Sequence, residues 1–147
     1  MAAYNFKLQK LLDYRINMEE EKKNQLSFAV KRLEQEKDKL SELKLKQKEM
    51  DNNFKEKTSE GIAVNELKLL ANYIDYYKRG IKEQKTRVKM AEDYLSTCRE
   101  ELITATQEKK MIEKLKEIDF EKYLYEEQKK EEKLIDDLVS FKGSNNS

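Results

Sequence analysis

Histidine and proline are absent from this 147-residue chain, and it holds one cysteine and three glycines. Without histidine the commonest general base and metal ligand is missing, and with it every Ser-His or Cys-His nucleophile pair. No glycine-rich phosphate loop, CxxC or EF-hand spacing occurs, so nucleotide, zinc and calcium sites of the familiar kinds have no support. Carboxylate pairs abound among 30 acidic residues, but on highly charged helices they read as solvated faces. No catalytic residue, metal site or cofactor is expected, and the chain does not read as an enzyme. The single cysteine, Cys98, cannot form an intrachain disulfide and reads as a small buried hydrophobe.

The lack of proline removes the strongest helix breaker, and the glycines, Gly61, Gly80 and Gly143, leave only the region near 61 and the tail as natural breaks. One-sided charge is also lacking: 31 Lys and Arg balance 30 Asp and Glu with the signs interleaved. That is not the footprint of a nucleic-acid or anionic-membrane binder, so protein partners are expected. The start, Met1 to Lys7, holds no apolar run of signal-peptide length, and no stretch approaches the roughly 18 apolar residues of a membrane span. A cytoplasmic protein is expected.

What is present is periodicity. With 41% charged and 37% hydrophobic residues, too little apolar surface exists for a thick core, but it can be concentrated in a stripe. From Leu67 to Ile112 the positions spaced three and four apart read Leu67, Leu70, Ile74, Tyr77, Ile81, Gln84, Val88, Ala91, Leu95, Cys98, Leu102, Ala105, Lys109 and Ile112, all apolar except Gln84 and Lys109. Such a seam is buried by another helix. A first arm carries a matching seam at Leu8, Leu12, Arg15, Glu19, Lys22, Leu26, Ala29, Leu33, Glu36, Leu40, Leu43, Gln47, Met50 and Phe54. Arg15, Glu19, Lys22 and Glu36 make its middle the looser part, partly covered by Ile16, Met18 and Phe28.

The spacing predicts an all-α fold: a long antiparallel two-helix coiled-coil hairpin with an overhanging C-terminal helix. The whole chain, 1–147, reads as one domain, with helix 1 at 5–56, a turn at 57–62 where Gly61 takes a left-handed conformation, helix 2 at 63–141 and a disordered tail at 142–147. A reversal near residue 60 sets Met50 against Leu70, Leu43 against Tyr77, Leu40 against Ile81, Leu33 against Val88 and Leu26 against Leu95, apolar meeting apolar each time. At 1.5 Å per residue the first arm spans roughly 75 Å and the second roughly 120 Å, so the second must overhang. Beyond about residue 117 no intrachain partner is expected, yet Ile118, Phe120, Tyr123, Leu124, Leu134, Ile135, Leu138 and Phe141 remain, more than a solvated helix needs. The heptad is read as shifting after Ile112 to Met111, Leu115 and Ile118, and Glu126 is spaced to pair with Lys130. Tyr73 and Tyr76 cannot both face the first arm, so at least one is expected at the surface near the tip, as a partner patch.

Four places in this pattern resemble the flagellar export protein FliJ family. These are the opening Tyr4-Asn5-Phe6-Lys7-Leu8-Gln9-Lys10-Leu11-Leu12-Asp13-Tyr14-Arg15, with an aromatic, Leu-Gln and a Leu-x-x-Arg run; Gly61-Ile62-Ala63 at the turn; Tyr73 with Ile81 through Gln84; and Glu108-Lys109-Lys110 with Leu134-Ile135-Asp136-Asp137. Asp137 stands where the family pattern carries Glu. The resemblance covers nearly the whole chain. It implies a central stalk entering the pore of the hexameric flagellar export ATPase (FliI-type), promoting ring assembly and hydrolysis, contacting the export gate protein (FlhA-type) and escorting substrate-specific export chaperones. It further implies a location peripheral to the inner membrane at the flagellar base. On that resemblance Phe6, Leu11, Arg15, Leu134, Asp136 and Phe141 are assigned to the ATPase-facing end, and Tyr73, Tyr76, Tyr77, Leu43 and Met50 to the gate-facing tip. Leu43, Met50 and Tyr77 also lie on the seam, which makes packing their first duty. The rival readings are the equivalent stalk of a virulence-type secretion system and a plain structural spacer or dimerising coiled coil.

Overall fold

The structure is a computed structural model that describes residues 3–145. Two helices account for nearly all of it: α1 (Gln9–Glu60) and α2 (Val64–Asn145), packed antiparallel as a coiled-coil hairpin. Leu, Glu, Lys, Gln and Ala fill both, residues that lose little side-chain freedom in a helix, and no proline interrupts either. The chain divides into two compact units, Met1–Glu21 with Ile103–Ser147 and Lys22–Leu102.

In the unit Lys22–Leu102 the reversal is tighter than the sequence suggests. Gly61 holds φ at +79°, and the Ile62 amide donates back to the Lys57 carbonyl at 3.4 Å, a Schellman-type end in which glycine takes the left-handed position. Helix α1 therefore runs to Glu60 rather than 56, and three residues, Gly61 to Ala63, connect it to α2. Thr58 and Ser59, read as part of the turn, are helical, and their hydroxyls donate to the Phe54 and Glu56 carbonyls at 2.6 and 2.7 Å. The Ala63 carbonyl accepts the Glu66 and Leu67 amides and starts α2.

Burial in this unit follows the two seams. Ala29, Leu95 and Cys98 form its inner cluster, with Cys98 only 2% exposed, and Leu26 and Leu33 pack against it. Leu26 thus joins Leu95, as the register requires. Glu36 meets Gln84 on the same register: Gln84 Nε2 donates to the Glu36 carbonyl at 2.9 Å and to its carboxylate. Lys22 Nζ donates to Glu101 at 3.0 Å. Phe28 does not cover these polar positions, since it is 71% exposed. They are satisfied by polar partners from α2 instead.

The unit that joins the two chain ends repeats the logic. Phe6, Leu12 and Ile112 form its buried cluster, flanked by Tyr4 and Leu11. Arg15 pairs with Glu108, and Lys109 Nζ donates to Glu19 Oε1 at 3.0 Å. Ile16 lies exposed beside them and fills no gap. Residues 3–8 precede α1 as a non-helical strap rather than as its first turns, because Phe6 must reach the Leu12–Ile112 cluster.

That strap corrects two expectations about α2. The heptad does not shift after Ile112: Met111, Leu115 and Ile118 are exposed, while Lys116 and Tyr123 are half-buried. Lys116 Nζ donates to Gln9 at 2.7 Å, and the Tyr4 hydroxyl donates to Asp119 Oδ2 at 2.9 Å. The Tyr4 ring lies 5.0 Å from that of Phe120 and 5.2 Å from that of Tyr123. Intrachain partners therefore continue past residue 117, and only beyond Glu127 is every residue to Ser144 exposed. Lys130 pairs with Glu127 at 3.8 Å, one turn position from the expected Glu126. The tail expected to be disordered from 142 is helical to Asn145, and Asn146 and Ser147 lie outside the described residues.

Candidate functional site

Two surfaces gather the residues that the sequence singles out. The first is the free end of α2. Leu134, Ile135, Leu138, Val139 and Phe141 fall within one and a half to two helical turns of one another, all more than half exposed, with Phe141 at 64%. Spaced four and three apart, Leu134, Leu138 and Phe141 make one apolar stripe, and Asp136 stands exposed on the opposite face of the helix. Such a patch on an unsupported helix is what a protein partner buries.

The assigned residues at the other terminus are used differently. Phe6 is 7% exposed and belongs to the internal cluster, Leu11 packs on that cluster, and Arg15 is half-buried against Glu108. They hold the strap and the start of α1 on α2. Sequence reasoning missed Tyr4 as their companion, although the aromatic heads the N-terminal run. A cavity of about 590 Å³ lies between the strap and α2, lined in part by Tyr4, Lys7, Asp119, Lys122 and Glu126. Partial burial, and then the bond to Asp119, push the Tyr4 phenol above its usual range.

The second surface is the flank of α2 near the turn. Tyr73 and Tyr76 are both exposed, and with Leu69, Asn72 and Arg79 they border a shallow cavity of about 300 Å³. Tyr77 is half-buried, and its ring meets that of Tyr76 edge-on at 5.5 Å. Leu43 and Met50 are half-buried on α1. Leu43 also lines a neighbouring cavity of about 410 Å³ with Tyr76, Arg79, Gly80 and Arg87. Packing and surface display thus divide as the seam requires: Tyr77, Leu43 and Met50 support, Tyr73 and Tyr76 present.

Among the described residues no cluster of His, Cys, Asp or Glu could hold a metal ion, and no helix is long and apolar enough to cross a membrane. What the geometry offers is apolar and aromatic contact on charged helices.

Comparison with known proteins agrees with that geometry. The family described as flagellar FliJ protein matches residues 4–147. The flagellar FliJ protein of Bacillus subtilis (strain 168) is 26% identical over 136 residues, 92% of either chain. Among solved structures, CT670 from Chlamydia trachomatis, described as a YscO homolog, superimposes with a TM-score of 0.78 at 20% identity, covering 95% of this chain and 94% of that one. At that identity the likeness is one of fold.

Proposed function

This chain belongs to the flagellar FliJ protein family, a component of the flagellar type III export apparatus, and from that premise we propose that it is a non-enzymatic stalk for the hexameric export ATPase. The observation that carries this reading is the bare end of α2, where Leu134, Ile135, Leu138, Val139 and Phe141 are exposed on a helix that has outrun α1. The free end inserts into the ring, with Leu134, Leu138 and Phe141 as anchors and Asp136 on the opposite face of the helix. Phe6, Leu11 and Arg15 act behind it by fixing α1 and the strap on α2.

A single helical hairpin in a six-fold pore cannot meet all subunits alike. It binds some conformations better than others, and the difference in affinity shifts the ring's populations and raises its turnover. Charged sides keep the remaining contacts weak. Tyr73 and Tyr76, backed by Tyr77, Leu43 and Met50, form the contact to the export gate, and export chaperones are further partners. The site of action is the cytoplasmic side of the inner membrane at the flagellar base.

The test is ATP hydrolysis by the purified export ATPase from the same source, titrated with the full chain and with a chain ended after Lys130. That truncation keeps Tyr4, Phe120 and Tyr123 together, so the hairpin remains intact. Stimulation by the full chain and none by the truncated one is expected. Equal effects of both, or no effect of either on rate or ring assembly, would favour a structural spacer.

A further inference from the structure

The apolar stripe of α2 poses a problem that its length makes acute. Twelve apolar positions out of fourteen from Leu67 to Ile112 would zip with the same stripe of a second copy as readily as with α1. The two exceptions, Gln84 and Lys109, are both matched within the chain. Gln84 Nε2 donates to the carbonyl and carboxylate of Glu36. Lys109 Nζ donates to Glu19 Oε1 at 3.0 Å. Glu19 and Gln84 are 6% and 5% exposed, so these are interior contacts rather than surface ion pairs. Of the other polar seam positions of α1, Arg15 is matched by Glu108 and Lys22 by Glu101, and Gln47 is half-buried. No buried side-chain nitrogen or oxygen among the described residues lacks a partner.

We infer that these cross-seam polar pairs are a pairing lock: they accept α1 in one register and reject like-with-like pairing with the same helix of a second copy of this chain. Like-with-like pairing breaks every pair. Two α1 helices in parallel register set Glu19 on Glu19, Glu36 on Glu36, Arg15 on Arg15 and Lys22 on Lys22, and two parallel α2 helices set Lys109 on Lys109. An antiparallel pair of α2 stripes, centred between Val88 and Ala91, places Gln84 against Leu95 and Lys109 against Leu70. Each polar group is then buried on an apolar residue, at a cost that the intrachain pairing avoids. Sliding α1 by one heptad along α2 separates Glu19 from Lys109 and Glu36 from Gln84 together, so the same contacts hold the register. The polar residues trade stability for a single-copy hairpin, as buried polar positions do in coiled coils that must choose their partner.

The experiment uses the full chain with Glu19→Leu, Glu36→Leu, Gln84→Leu and Lys109→Leu combined, compared with the parent. Light scattering after size exclusion reads copy number. Spin labels on cysteines placed at the exposed positions Ser27 and Glu92, in a Cys98→Ala background, read register. The parent is expected to be monomeric with one narrow label separation. The apolar variant should associate about a hundredfold more tightly and show a broad or multiple separation. If it stays monomeric with the parent's narrow separation, the lock does not exist. Should it precipitate, the charge exchange decides: Glu19→Lys and Lys109→Glu singly should broaden the label separation, and together should restore it. Failure of the double exchange to restore it would overturn the proposal equally.

Discussion

Lys109 Nζ sits 3.0 Å from Glu19 Oε1, linking one of the two polar residues in the α2 stripe to a buried carboxylate in the α1 stripe. The bond to Glu19 raises the pKa of the ammonium above its ordinary 10.5, against the opposing effect of desolvation. The Tyr4 phenol is likewise raised above its ordinary 10.0, by partial burial and by Asp119. Both groups hold their proton more tightly folded than unfolded. Their stabilising contribution is therefore whole below the unfolded values and is lost as pH climbs through the raised ones.

Thermal unfolding followed by circular dichroism should accordingly show a midpoint that does not respond to these two groups at neutral pH and falls on the alkaline side. Tyr4→Phe should make the fall above about pH 10 shallower, and so should Glu19→Gln. An unchanged alkaline slope in both variants would contradict the pairing.

Gly80 and Gly61 should respond in opposite directions to alanine. A Cβ at Gly80 meets only Leu43 side-chain carbons at 4.0 Å, ordinary contact, so Gly80→Ala should stabilise the mid-helix by about 1 kcal/mol in urea unfolding. Gly61 has open space but a φ of +79°, so Gly61→Ala should destabilise by about 1 kcal/mol through backbone strain.

Leu95→Ala removes a 7% exposed side chain packed with Ala29 and Cys98 and should cost about 2–3 kcal/mol. Phe28→Ala, at a residue 71% exposed, should stay within about 0.5 kcal/mol. Urea melts of the two variants measure both, and a comparable loss at Phe28 would place it inside a contact that the hairpin does not show.

The hairpin was legible because its signal is periodic: every seam position from Leu67 to Ile112 is buried or half-buried, and Gly61 turns the chain as its residue type allows. The register followed from placing the reversal near residue 60, which set Leu26 against Leu95. What periodicity of apolar residues could not show was the continuation of the seam through polar ones. Lys116 and Asp119 hold seam positions by bonding Gln9 and Tyr4, so a search for hydrophobes after Ile112 turned to Met111, Leu115 and Ile118, which are exposed. The same blindness made Arg15, Glu19, Lys22 and Glu36 look like a loose middle needing cover. Their partners lie between 48 and 93 residues away in the sequence, beyond any local pattern. At the candidate site, Tyr73 and Tyr76 were readable from the crowding of tyrosines, whereas the burial of Phe6 depended on a strap that only the fold reveals.

The most direct test of the stalk reading is amide hydrogen exchange across α2, alone and with the export ATPase hexamer. Alone, residues 128–144 should exchange fast and residues 81–112 slowly, because the former are exposed throughout and the latter line the seam. With the ring present, protection should appear around Leu134, Leu138 and Phe141. Unchanged exchange there, with new protection confined to the Tyr73–Tyr76 flank, would contradict the account.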